Sequence, residues 1–407
     1  IYMLKRKIYD ELLNWKNTSN GRTALLIEGV RRVGKSYIAE LFGKNEYKTC
    51  IIINFSIADN ALIDIFRNNK MHLDIFFEQI SVFFNLQLHK RDTLFIFDEI
   101  QAFPEAREMI KFLVKDGKYD YLETGSLVSI KKNVKDIVIP SEEDSLSMNP
   151  LDFEEFLWAL GDYTTYPYIS KCFYNNSPVG EGLHNKIMYT FRKYMLIGGM
   201  PDAVVAYLNT NNFEESDREK RRILKLYRDD ISKHASTEIE KVTAIYDEIP
   251  SQLSKTDKKF ILSKITEEAR YRYYEKAFNW IKESKISNLC YNSYEPTAGL
   301  NLNLDRFMYK CYFCDTGLLV SHTFTQKNIL SNNINKAILL DTLHLNEGMF
   351  FENIVAQMLV SSNHQLFFHS YYSEDVKKKY EIDFIIRGAK KLCPIEVKSS
   401  SSSTYTL

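Results

Sequence analysis

The stretch G-V-R-R-V-G-K-S at 29–36 constrains this chain more than any other feature. It follows a short apolar run at 23–28 and precedes residues 37–42 with helix-compatible spacing, the strand, loop and helix context of a P-loop. Its two glycines let the backbone close around phosphate oxygens, while the loop amides and the helix N-terminus supply positive partial charge. On this pattern Gly29, Val30, Arg31, Arg32, Val33, Gly34, Lys35, Ser36 and Tyr37 form a nucleotide cradle. Lys35 reaches the β and γ phosphates and Ser36 ligates Mg²⁺. The chain has only 15 Gly in 407 residues, so a chance glycine loop with both flanks correct is the weaker reading.

Residues 93–99, T-L-F-I-F-D-E, form an apolar strand ending in two carboxylates, with Asp98 lying 63 positions after Lys35. Asp98 is expected to hold the metal through water, and Glu99 to orient or deprotonate the water that attacks the γ-phosphate. The competing reading is an acidic cap on a helix started by Pro104. A further strand at 119–123 leads into T-G-S at 124–126. There Thr124 and Ser126 are candidate sensors of the γ-phosphate, or caps of a helix beginning near Leu127. Arg22, Arg31 and Arg32 are within range of phosphate, with surface solvation as the default for arginine. The cofactors implied are ATP and Mg²⁺.

Charge adds little: 53 Lys and Arg balance 53 Asp and Glu, so any nucleic-acid contact must come from a local patch. The apolar runs, such as 51–55 and 94–97, fall far short of the roughly 20 residues that span a bilayer. The opening I-Y-M-L-K-R-K is not followed by an apolar run and reads as no secretory signal, so a cytoplasmic protein without membrane contact is expected. Six Cys lie scattered, and only Cys311 and Cys314 are near each other, which fits reduced thiols packed in a strand better than a zinc site.

Strand candidates at 23–28, 50–55, 93–97, 119–123 and 136–140, separated by helical stretches, describe a doubly wound parallel sheet in residues 1–160. Residues 161–185, rich in Tyr, Asn, Ser, Pro and Gly, read as loop. Helix formers dominate 186–235, with a break at 198–201, and suggest a helical lid over 161–235 on which Arg192 could act as a nucleotide sensor or lie solvated. Helices at 250–284, then strand-like 286–295 and 307–313 around Gly299, suit a winged helix within 236–320. Between 255 and 285 nine basic residues face five acidic ones, interleaved with Tyr271, Tyr273, Tyr274 and Trp280. This stretch is a candidate DNA contact, or else a solvated face over core aromatics.

Toward the C-terminus Glu352, Asp383, Glu396 and Lys398 follow the order of a PD-(D/E)XK nuclease core. Asp383 and Glu396 would bind Mg²⁺ and Lys398 would position the attacking water, with Glu381 on the same strand face as Asp383. A purely structural cluster is the alternative.

The ordered series L-K-R-K (4–7), G-V-R-R-V-G-K-S, F-D-E-I-Q (97–101), T-G-S, N-P-L-D-F-E-E-F-L (149–157), I-G-G-M-P (197–201), C-D-T-G-L-L (314–319), G-M-F-F-E-N (348–353) and the final E-I-D-F and P-I-E-V-K resembles the AAA-type ATPases of bacteria and archaea that carry a C-terminal domain of unknown function. The resemblance spans essentially the whole chain. It implies an α/β fold: an additional-strand P-loop sheet with helical lid, then a winged helix and, over 321–407, an α/β nuclease-like domain; with nine residues after Lys398, that domain is expected to be truncated. Three functions are compatible. One is ATP hydrolysis coupled to movement of the C-terminal region on DNA or a protein partner, another is a nucleotide-dependent switch with slow hydrolysis, and the third is an ATP-gated nuclease. A homo-oligomer would let a neighbouring subunit supply an arginine.

Overall fold

A computed structural model describes residues 3–125, 141–297, 299–324, 335, 339, 348–375, 377–388 and 391–398. They form two compact units, Arg6–Met148 and a second made of residues 3–5 with those from Asn149 onward.

The first unit is built on strands β1 (Ala24–Glu28), β2 (Thr49–Asn54), β3 (Thr93–Asp98), β4 (Asp120–Thr124) and β5 (Glu143–Ser147). Their order is β2-β3-β4-β1-β5 and every pairing is parallel. Helix α1 (Ile8–Ser19) precedes the sheet, and parallel pairing needs crossovers, here helices α2 (Lys35–Glu46), α3 (Asn60–Asn68), α4 (Leu73–Phe84) and α5 (Pro104–Asp116). β3 and β4 are buried at every position; β3 accordingly reads as an apolar run, whereas β4 buries Asp120, Glu123 and Thr124 among its five residues. β4 lies between β1 and β3, so it is the additional strand of the expected fold. Edge strand β5 is half-exposed and polar. The strand expected at 136–140 lies outside the described residues, and the fifth strand observed is 143–147.

One face of this sheet is packed with aromatic rings. Phe55, Phe66, Phe76, Phe77, Phe95, Phe97 and Phe103 share one core with Tyr119 and Tyr121. Phe66 meets Phe76 edge-on at 5.0 Å, and Phe77 meets Tyr119 at 4.7 Å. Each fully buried Phe contributes on the order of 2–3 kcal/mol, so this layer is what holds β3 and its terminal carboxylates rigid.

The second unit combines helices with a mixed sheet of β6 (Ser287–Ser293), β7 (Leu304–Phe313), β8 (Phe367–Ser373), β9 (Lys378–Arg387) and β10 (Leu392–Ile395). The order is β10-β9-β8-β6-β7, with β6 and β8 parallel and the other pairs antiparallel. Residues 236–320 hold helix 239–253, the bridge Lys259 to Lys310, helix 271–283 and the hairpin β6–β7. The sheet nevertheless runs across position 320, where the sequence suggests a domain boundary, because β6 pairs with β7 on one side and with β8 on the other.

Residues 161–185 are not all loop, for a helix spans Thr165–Tyr174. Asp162 accepts from the amides of Thr164 and Thr165 at 2.9 Å each, and Pro167 falls in the first turn, where its missing N–H costs nothing. The helices at 181–197, 201–210 and 213–234 break where expected, at 198–201.

Several sequence motifs resolve into structural joints of this unit. Asp152 and Glu155 of N-P-L-D-F-E-E-F-L form a capping box on helix 153–159. Asp315 of C-D-T-G-L-L caps helix 316–323 through Leu318 N at 2.9 Å and accepts from Gly199 N of I-G-G-M-P at 2.6 Å. Asn353 of G-M-F-F-E-N accepts from Phe313 N at 2.7 Å, and Gln357 accepts from Thr316 N at 2.9 Å. All of these groups are hydrogen-bonded and all but the half-buried Asp152 are buried, so the motifs lock helices together. Cys311 and Cys314 are buried free thiols, with Cys311 Sγ 2.8 Å from Ser287 Oγ.

Candidate functional site

The carboxyl ends of β1, β3 and β4 bring the P-loop, the paired carboxylates and Thr124 to one edge of the parallel sheet, where ligands of such sheets bind. The loop leaves β1 at Gly29, where a Cβ would stand 2.4 Å from the Met148 carbonyl oxygen, and enters α2 through Gly34 at φ 100°. Both positions exclude a side chain, for steric and conformational reasons respectively. Val30 and Val33 are buried and anchor the loop, leaving Arg31, Arg32, Ser36 and Tyr37 exposed. Lys35 Nζ donates to the carbonyls of Gly29 at 2.9 Å and Val30 at 3.2 Å, which curls its ammonium over the loop.

Asp98 is the hub of the site. Its Oδ1 accepts from Ser36 Oγ at 2.6 Å and Thr124 Oγ1 at 2.5 Å, and its Oδ2 accepts from Asn54 Nδ2 at 2.8 Å. Thr124 is buried, and its hydroxyl also accepts from Glu99 N at 3.4 Å, so it braces both carboxylate residues. Glu99 sits at φ 53°, left-handed backbone that is costly for a non-glycine residue and turns the chain at the end of β3. Gln101 Nε2 donates to Glu99 Oε2. Neither Asp98 nor Glu99 caps the helix that begins at Pro104: its N-cap is Phe103, without a side-chain cap bond. Ser126 lies outside the described residues.

Three supporting residues escaped sequence reasoning. Arg6 is buried and donates to the Val33 carbonyl at 3.2 Å, holding the loop from outside. Asn54 reaches Asp98 because the β2–β3 register sets the two side by side. Gln101 was visible only as part of F-D-E-I-Q. Of the arginines considered, Arg22 is turned to the carbonyls of Ser19 and Thr18 at the end of α1. Arg192 lies in the second unit with its guanidinium 5.4 Å from the Phe351 ring centre.

An oxygen-only donor set, the Ser36 hydroxyl beside the Asp98 carboxylate, fits Mg²⁺, which takes one or two protein oxygens together with phosphates and water. When bound, the ion would neutralise charge on the phosphate oxygens.

The C-terminal carboxylates are arranged differently from expectation. Glu352, Glu381 and Asp383 converge, but on an ammonium: Lys310 Nζ lies 2.9 Å from Glu352 Oε1, 2.8 Å from Glu381 Oε1 and 3.6 Å from Asp383 Oδ1. Tyr312 OH also donates to Glu352 Oε1, and Lys258 Nζ lies 2.5 Å from Oε2. Asp383 Oδ2 accepts from Val397 N at 2.9 Å, while Glu396 pairs with Lys398 at 2.5 Å in a half-exposed position. Among the described residues no three His, Cys, Asp or Glu side chains are grouped to hold a metal ion. Of the two expected Mg²⁺ ligands, Asp383 thus lies in the cluster around Lys310, whereas Glu396 stands apart and pairs with Lys398.

Residues 21–157 match the family model described as AAA domain. That match covers most of the first unit and the nine residues that follow it. Beyond the AAA domain, residues 188–328 and 347–406 match two domains of unknown function, DUF8612 and DUF4143. No curated protein matches the chain. Among solved structures, a Walker-type ATPase, PABY2304 of Pyrococcus abyssi, is 12% identical over 79% of this chain and 96% of its own, with a TM-score of 0.45. A Drosophila ORC structure bound to DNA is 13% identical over 83% of this chain and 95% of its own, with a TM-score of 0.32. A DNA replication initiation factor is 12% identical over 69% and 90%, with a TM-score of 0.25. No described helix is long and apolar enough to cross a membrane.

Proposed function

We propose that the chain binds ATP with Mg²⁺ and hydrolyses it, using the cycle to act through the second unit on DNA. The observation that carries hydrolysis is the coupling of the loop to the paired carboxylates: Ser36 bonds Asp98 at 2.6 Å, and Glu99 follows at the strand end with Gln101 on one oxygen. Lys35 would exchange its loop carbonyls for phosphate oxygens, a stronger charge-assisted contact. Ser36 and Asp98 would hold Mg²⁺, directly and through water. Glu99 would accept a proton as the water oxygen bonds to the γ-phosphorus and the bond to the bridging oxygen breaks, releasing ADP.

DNA is favoured by helix 271–283. Its buried side is Tyr274, Ala277, Phe278 and Ile281, and its exposed side carries Arg272, Lys276 and Lys282 beside Tyr273. Lys258 and Lys259 of the same basic stretch are turned inward, to Glu352 and Ser370, so the contact rests on this helix and on Arg270 and Lys264. The test is ATP turnover with Mg²⁺, with and without duplex DNA across a salt series, for wild type and Glu99→Gln. Turnover lost in the variant, and stimulation that falls with salt, are expected. Tight ATP binding with equal near-zero rates would replace hydrolysis with a nucleotide switch, and turnover indifferent to DNA would remove the DNA reading.

A further inference from the structure

We infer that Lys310 is the resident cation of the Glu352, Glu381 and Asp383 cluster, so that this nuclease-like centre is an ion-pair joint that accepts a divalent ion only when that ammonium is removed. The inference is independent of the ATPase reading. Lys310 Nζ stands where the three carboxylates aim, within 2.9 Å of two of them and 3.6 Å of the third. A divalent ion ligated by the same oxygens would need contacts of about 2.1 Å for Mg²⁺, and would therefore sit against a positive nitrogen. Lysine and metal compete for one place.

The lysine is built in. Lys310 is a fully buried residue of β7, fixed by pairing with Cys290 of β6 on one side and the Lys259 bridge on the other. Its Nζ lies 5.1 Å from the Phe368 ring centre, a face that also favours a cation. Burial opposes the charged form, yet Glu352, Glu381 and Asp383 outweigh it and hold the ammonium above its ordinary pKa. Glu352 is closed to a metal on its other oxygen too, by Lys258. Three carboxylates against Lys310 and Lys258 leave a net charge of about −1, little reason to draw in a dication.

The test is Mn²⁺ binding to the full chain without nucleotide, followed by electron paramagnetic resonance. Wild type and Asp383→Asn are expected to give the same isotherm, because the carboxylate holds no ion in either. Lys310→Met is expected to gain one Mn²⁺ per chain, and Lys310→Met with Asp383→Asn to lose it again. A wild-type Mn²⁺ site that disappears in Asp383→Asn overturns the inference, as does a folded Lys310→Met chain that gains none. If Lys310→Met fails to fold, recovery of its thermal midpoint by Mn²⁺ or by added Glu352→Gln is expected, and no recovery by either is a refutation.

Discussion

Glu123, beside Thr124 on β4, makes the fold's sharpest pH prediction. It is fully buried, and as a carboxylate neither of its oxygens accepts a hydrogen bond. Its nearest positive charge, Arg107, is 3.6 Å away and already committed to Glu143 at 2.8 Å and 3.0 Å. Burial first, and then the Glu143 carboxylate, push the Glu123 pKa well above the ordinary carboxylate value, with Arg107 opposing. The folded chain therefore keeps a proton that the unfolded chain gives up. With more protons bound in the folded state, stability is fully present below the unfolded pKa and is lost as pH rises toward the folded pKa. The slope is at most about 1.4 kcal/mol per pH unit for one proton. Glu123→Gln replaces the protonated acid with a neutral isostere whose N–H can donate to Glu143. Unfolding midpoints from pH 5 to 8 should fall more steeply in wild type than in the variant, and the variant should be the more stable at the alkaline end. Parallel curves would show that Glu123 is ionised in the fold and refute the reasoning.

Two other substitutions probe the joints described above. Thr124→Val keeps the buried shape but removes one of three donors to Asp98, a loss of about 1.5–3 kcal/mol for a bond to a charged acceptor, so ATP turnover should fall roughly tenfold or more with nucleotide affinity nearly unchanged. A Val variant with full kcat in steady-state turnover would mean that Ser36 and Asn54 suffice. Asp315→Ala strands the amides of Gly199 and Leu318 in a buried site and should lower stability by roughly 3 kcal/mol or more in denaturant unfolding, whereas a drop under about 1 kcal/mol would show that water replaces the carboxylate.

What was legible in the sequence was what a contiguous segment does by itself. Gly29 to Ser36 wraps phosphate with its own backbone, and the apolar run before Asp98 marks a strand buried on both faces, so neither needed knowledge of neighbours. Asn54 and Arg6 were invisible because their roles exist only through strand register and through contact across 27 positions. Lys310 is the extreme case. In M-Y-K-C-Y it resembles any strand lysine, and its meaning comes from Glu352, 42 positions away, and from carboxylates on β9. The string of Glu352, Asp383, Glu396 and Lys398 is the same whether it gathers a metal or an ammonium. One residue on a strand outside the string decides between them, because buried carboxylates that stay ionised need a cation beside them, and a lysine fixed in the sheet is present before any ion arrives.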